Sequence, residues 1–344
     1  MRSTLYFILT ILLTSCSSIS YLGIETHNPA EVTFPDNVGK VLVVNNAVPQ
    51  PPEVGYEYKL YGVLQDTAKV SADSALYDAA HAMGEAIVAM EYFNDVLLYH
   101  YPTRNDDEYF TDKKLKKEEV EALCEETETD AIISFDRLLF NLTKDITAYP
   151  EGFLRASIRV DISGVVRTYL PGRETPLATV LVSDSIFWEE EASDMDVLDF
   201  LIPPPENILR VAGVYIGNVV YPYFVPHWQR ESRWYFTGNS SRWKEATAYV
   251  AAEKWDLAAE RWQAIYDRSN KEKEQAKATS NIALSYEMRG DFQQALDWAI
   301  KSKDLFIKNG EKANKETKLL TLYVEALKER INSDKKLNVQ FGKE

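Results

Sequence analysis

The sequence predicts an α+β protein: a mixed sheet with helices packed on it, followed by an all-α array of helical hairpins. Three observations lead there. Residues 155–170 and 177–188 alternate apolar and polar side chains with the two-residue period of a half-buried strand. Residues 73–92 place Leu76, Ala80, Met83, Ile87 and Met90 three and four apart, the period of a helix with one apolar face. After residue 230 only the helical period remains, and the chain matches itself at an offset of 37 residues.

Arg2 is the only charge before residue 25 and is followed by an apolar run from Leu5 to Leu13. Such a run has the form of a signal-peptide core and is too short to span a bilayer as a mature helix. It ends in Leu13-Thr14-Ser15-Cys16, which resembles a bacterial lipobox. The resemblance implies a signal peptide over residues 1–15, cleavage before Cys16 and lipidation of Cys16. Residues 16–37, polar and Pro-containing, then read as a lipidated tether. Ser17-Ser18-Ile19-Ser20 carries no acid, which by resemblance to sorting signals implies an outer-membrane, periplasm-facing anchor.

With Cys16 used for lipid, Cys124 is the one remaining thiol, so no intrachain disulfide is expected; Cys124 reads as a small buried side chain on a helix. Lys and Arg total 38 against 53 Asp and Glu, a formal charge of −15 that loss of Arg2 makes one unit more negative. A chain this acidic does not seek nucleic acid or anionic lipid.

The first domain is expected over residues 38–230. Lys40 to Val44, closed by Asn45-Asn46, reads as a central strand, and a Pro-rich loop spans residues 48–52. The helix of residues 73–92 follows, then a strand at 96–101, a charged loop at 104–112, a helix at 115–126 and a strand at 131–140. Residues 155–170 and 177–188 form a hairpin around Pro171-Gly172-Arg173, with Arg155, Ser157, Arg159, Asp161, Ser163 and Arg167 on the solvent face. Pro203-Pro204-Pro205 introduces a helix whose stripe is Ile208, Leu209, Ala212, Tyr215, Ile216 and Val219. The order β-α-β-α-β-β-β-α argues for one sheet with helices on it.

Residues 231–332 are expected to be helical, with a polar tail at 333–344. At the 37-residue offset, Ala246, Tyr249, Trp255 and Ala258 fall on Ala283, Tyr286, Phe292 and Ala295, with Gly290-Asp291 at the turn. The pattern Asn281 to Tyr286 and Gly290 to Ala295 resembles the tetratricopeptide repeat. The first copy departs by carrying Glu253 where the turn glycine is expected, and the offset exceeds the usual repeat. A further step of 37 reaches Leu320 and Tyr323, in a closing helix.

Little in the sequence announces chemistry. His27, His81, His100 and His227 are scattered without metal-ligand spacing, and no nucleophile elbow, phosphate loop or dinucleotide fingerprint is present. No catalytic residue, metal or cofactor is expected, and the acidic runs read as solvated faces. Tyr223, Phe224, Trp228, Trp234 and Tyr235 lie in an aromatic stretch that suits a protein or glycan surface or, alternatively, a seal between domains. Asp66-Thr67-Ala68 and Asp73-Ser74-Ala75 resemble the O-glycosylation acceptor of exported proteins, which would make Thr67 and Ser74 modification sites; Ser74 is equally placed beside a helix cap.

As a whole the chain resembles a family of outer-membrane lipoproteins with a carboxy-terminal tetratricopeptide region. Its first domain is similar in element order to the TolB amino-terminal, CsgG-like and LpoB-type envelope domains. The resemblance implies a non-catalytic adaptor or regulator that binds an envelope protein through its helical repeats, held to the membrane by lipid, with self-association open. A secretion or pore subunit and an envelope hydrolase are the competing readings.

Overall fold

A computed structural model describes residues 19–65, 69–104, 106–310 and 314–342. Cys16, Thr67 and the signal peptide lie outside the described residues. The chain divides into two compact units: Pro29–His227 with Leu337–Glu344, and the amino-terminal segment to Asn28 with Trp228–Lys336.

The strands and helices run in the order β1 (Ile19–Asn28), β2 (Lys40–Asn45), β3 (Tyr56–Leu60), β4 (Val63–Leu64), α1 (Asp73–Ala89), β5 (Asp95–Leu98) and α2 (Lys117–Thr127). The long strands β6 (Ala131–Ala148), β7 (Leu154–Tyr169) and β8 (Ala178–Ala192) follow, then α3 (Met195–Leu201), α4 (Pro205–Val220) and β9 (His227–Phe236). Five helices close the chain: α5 (Ser241–Ala251), α6 (Trp255–Arg268), α7 (Glu272–Glu287), α8 (Phe292–Lys308) and α9 (Lys315–Gln340).

In the α/β unit seven strands form one mixed sheet, ordered β4-β3-β6-β2-β5 with β7 on the free edge of β6 and β8 on β7. β2 is parallel to β5 and β6, while β6, β7 and β8 form an antiparallel meander. Val41 and Val43 face α1 and α4; Leu42 and Val44 face α2, so this half of the sheet is covered on both sides. The register of β6 against β7 slips between Phe135 and Arg137. This bulge shifts the core parity of β6 from Ile133 and Phe135 to Leu138, Phe140 and Leu142, keeping apolar residues on the α1/α4 side. Helices α1 and α4 meet closely because Gly213 and Gly217 carry no Cβ: one built there would stand 2.2 Å and 2.4 Å from the Ala75 and Ala79 carbonyls.

The second unit contains a two-stranded sheet of β1 and β9 and the helices α5 to α9 as far as Lys336. Its core joins Trp243, Trp262, Phe306 and Tyr323 with Tyr235 and Phe236 of β9. Ala246, Ala258, Ala283 and Ala295 are all fully buried.

Three expectations are corrected. Residues 19–28 are not tether but β1; its partner β9 lies some two hundred positions away, beyond any local pattern. Residues 29–37 pack as well, with Ala30, Val32 and Phe34 buried. Strand β9 extends to Phe236, so the region after residue 230 is not purely helical. Residues 333–340 continue α9 instead of forming a polar tail, and the buried Gln340 side chain accepts from Ala30 N and donates to Ala30 O, both at 3.0 Å. The hairpin β3–β4 and the seven-residue α3 went unread because both are too short to show a period.

Candidate functional site

β2 and β5 are parallel neighbours, yet the chain leaving β2 passes through the β3–β4 hairpin to α1 on one face, and the chain leaving β5 leads to α2 on the other. Such a divergence opens a crevice at the carboxyl ends of the strands, where open α/β sheets bind their ligands. Here the crevice encloses 460 Å³. Its apolar part is Ala47, Val48, the Pro49–Pro52 loop and Leu76; its polar rim includes Asn45, Ser71, Asp73, Thr103 and Asp107.

One wall, the loop after β5, is held from beneath by a buried polar cluster. The β6 bulge places Asp136, fully buried, on the α2 side of the sheet beside Ser134. Asp136 Oδ1 accepts from Ser134 Oγ at 2.8 Å and Asn46 Nδ2 at 3.1 Å; its Oδ2 accepts from Arg167 Nη1 at 2.8 Å and from the Tyr169 hydroxyl. The same donors reach the loop. Asn46 Nδ2 donates to the Lys113 carbonyl at 2.8 Å, and Arg167 donates to both the carbonyl and the carboxylate of Asp112. The Leu115 N–H donates to the Tyr169 oxygen at 3.3 Å, and Thr103 donates to Asn46 Oδ1 at 2.7 Å.

The electrostatics follow from these partners. Burial works against the Arg167 charge, but Asp136 and Asp112 outweigh it and hold the guanidinium above its ordinary value. Burial first, then Asp136, pushes the Tyr169 phenol far up, so it stays protonated. Hydrogen bonds from Arg167 lower Asp112. Nearer the rim, hydrogen bonds from Arg104 and Lys113 hold Asp106 far below the usual carboxylate range. A carboxylate fixed in its charged form is unsuited to donating a proton at neutral pH.

The sequence reading placed Arg167 on a solvent face; it is buried, because α2 and the loop after β5 cover that end of β7. Asp136 was overlooked, although a lone acid inside the apolar run of residues 131–140 was the available signal. The aromatic stretch divides. Phe224 is fully buried in the α/β core, with Tyr223 against it, and the Tyr223 carbonyl accepts from Val32 N at 2.8 Å. Trp228, 61 % exposed, stacks on His27 at 4.6 Å, whereas Trp234 and Tyr235 pack in the helical unit. Ser74 is exposed in the first turn of α1. Cys124 is buried on α2, where burial raises its thiol.

In the helical unit, α7 is buried on nearly all sides. Its Asn281 grips the backbone of Phe236 in β9: the Phe236 N–H donates to Oδ1 and Nδ2 donates to the Phe236 carbonyl, both at 2.7 Å. Arg233 donates to Glu287 at 2.9 Å, and Tyr323 donates to the same carboxylate at 2.7 Å. Residues 233–236 therefore lie along α7 as an extended segment held by side chains of α7 and α9. Of the repeat positions, Tyr249, Trp255 and Tyr286 are half-buried against this core, and the turn residue Gly290 has φ 78°. Glu253, at the matching position of the first hairpin, adopts φ 56°.

Together these features define a two-unit α+β protein: a mixed sheet covered on both faces in its β2 half, with a carboxyl-end crevice, and a unit of helices α5 to α9 with the β1–β9 pair. The chain belongs to the family described as a domain of unknown function (DUF8603), which matches residues 38–236. Residues 244–329 match a second family, also described as a domain of unknown function (DUF6340). No curated protein matches the chain.

Proposed function

We propose that the chain is a lipid-anchored envelope adaptor that is not an enzyme, and that it seats an extended segment of a protein partner in the crevice between β2 and β5. The crevice carries this reading: it combines an apolar Pro-lined floor with the exposed rim carboxylates Asp73, which accepts from Ser71 Oγ at 2.9 Å, and Asp107, neither of them in an ion pair among the described residues, a combination that suits a partner segment bearing a basic side chain. The loop that forms its wall is fixed by a buried cluster, so the site is largely preformed. Asp106, held charged by Arg104 and Lys113, fits a binding wall better than a proton donor.

The helices α5 to α8 read as two hairpins of tetratricopeptide type, and α9 as their closing helix. Their inner side around Asn281 is taken up by residues 233–236, so we assign partner binding to the crevice and a scaffolding role to the repeats. The anchor rests on Cys16 and its lipobox resemblance, with the outer membrane as its destination. Labelling cells with an alkynyl fatty acid tests it: the wild-type chain should carry label and Cys16→Ser should not. Label retained in Cys16→Ser, or absent from both, would remove the anchor from the account. In-cell crosslinking from the crevice rim tests the partner.

A further inference from the structure

Beyond α2 the meander β6–β7–β8 continues with one face uncovered, and that face is built unlike an ordinary solvated one. Strand register sets its rows: Leu139, Ser163 and Ser183 lie side by side, then Asn141, Asp161 and Ser185, then Thr143, Arg159 and Phe187. Two large aromatic side chains stand out on it. Phe110, 68 % exposed, overhangs the first row from the loop after β5, and Phe187, 75 % exposed, rises from the third row. Between Phe110 and the sheet is a cavity of 340 Å³, within the size range of small-molecule sites, about 300–1,000 Å³.

Between the two rings lie the unengaged side chains of Asn141, Ser163 and Ser183 and one ion pair, Arg159–Asp161, while Arg137 lies 5.8 Å from the Phe110 ring centroid. Among the described residues, none hydrogen-bonds the side chains of Asn141, Ser163 or Ser183. Asp161 is neutralised by Arg159 at 2.6 Å, and Arg155 further along is paired with Glu191 at 2.6 Å. Adjacent strands are about 4.8 Å apart and same-face residues about 7 Å apart, so hydroxyl and carboxamide groups form a grid of sugar-ring dimensions. Ser183 and Phe187 are four positions apart, about 14 Å along the strand, room for roughly two to three sugar rings between the aromatic ends. A pyranose has an apolar C–H face for an aromatic ring and a rim of hydroxyls for uncharged polar partners. A peptide would leave the flat, neutral grid without its backbone donors and acceptors met in register.

We propose that this face is a saccharide-binding platform, with Phe110 and Phe187 as stacking residues and Asn141, Ser163 and Ser183 as hydroxyl partners, taking a neutral oligosaccharide of two to three rings. The test is titration of the mature full-length chain with N-acetylglucosamine oligomers of one to four units and with cellotetraose. Calorimetry gives affinity, and saturation-transfer NMR shows which sugar protons meet aromatic rings. The expected result is saturable binding that tightens up to two or three rings and then levels. Phe110→Ala and Phe187→Ala should each weaken it about tenfold at unchanged melting temperature, and Phe→Tyr at either position should retain it. No saturable binding of any oligomer at millimolar concentration, or binding that survives the double Phe→Ala variant, overturns the proposal. So does aromatic-dependent capture of random-sequence peptides in preference to sugars.

Discussion

Arg167 Nη1 lies 2.8 Å from Asp136 Oδ2, an ion pair buried where the β6 bulge turns an acid inward beneath the crevice wall. Removing Asp136 takes away the fully buried partner of Arg167, leaves the guanidinium only the more exposed Asp112, and strands the other donors that converge on the Asp136 carboxylate. Asp136→Ala should therefore destabilise the α/β unit by about 3–5 kcal/mol, measured by urea denaturation. Asp136→Leu combined with Arg167→Met should recover only part of that loss: no buried charge is left to desolvate, but Ser134, Asn46 and Tyr169 still lose their acceptor. An unchanged urea midpoint in Asp136→Ala would mean that the cluster does not hold the unit together.

Acid should release the wall before it unfolds the sheet. Asp112 and Asp106 are both lowered, chiefly by hydrogen bonds from Arg167 and from Arg104 with Lys113 respectively. Groups depressed in the folded state stabilise it fully above their unfolded value, about 4, and lose that contribution as pH falls through the folded values. Hydrogen exchange across residues 99–116 should stay protected down to about pH 4 and then rise. Loss of protection already near about pH 6 would point to a histidine and away from these carboxylates.

Glu253 and Gly290 occupy equivalent turns with φ 56° and 78°. Only Gly adopts that conformation without cost, so Glu253→Gly should stabilise the helical unit by about 1 kcal/mol and Gly290→Ala should weaken it by a similar amount. Thermal melting decides. A lower melting temperature for Glu253→Gly would show that the Glu253 side chain contributes more than its backbone costs.

Asn281 meets both backbone groups of Phe236 where neither reaches water. Asn281→Leu strands a buried N–H and a buried carbonyl, at about 1–3 kcal/mol each. Chemical denaturation should show a loss at least as large as one such group. Increased proteolysis near residues 233–236 should accompany it, and no change in either readout would refute the clamp.

The legible parts of this fold were those whose neighbours are local. Residues 155–170 announced β7 because α4 and the sheet core impose a period of two on adjacent positions. The same alternation misplaced Arg167, since nothing within β7 shows that α2 covers one end of its polar face. β1 was read as tether because its partner is distant and β9 carries the charged run Arg230, Glu231 and Arg233. Of the crevice, the ends of β2 and the Pro-rich loop were visible, but the divergence at β2 and β5 depends on strand order. Asn281 was legible only as the start of the Asn281 to Tyr286 helical pattern; its grip on Phe236 depends on where β9 runs, which no local pattern carries.

The adaptor reading stands or falls on who touches the crevice in the cell. A photo-crosslinking residue placed at Ser71 or Asp107 on the rim, in the otherwise intact full-length chain, should capture the same single envelope protein. The same residue at the exposed Leu322 of α9 should not capture it. Capture from Leu322 alone would return partner binding to the helices, and no capture from either rim position would contradict the crevice as the receptor.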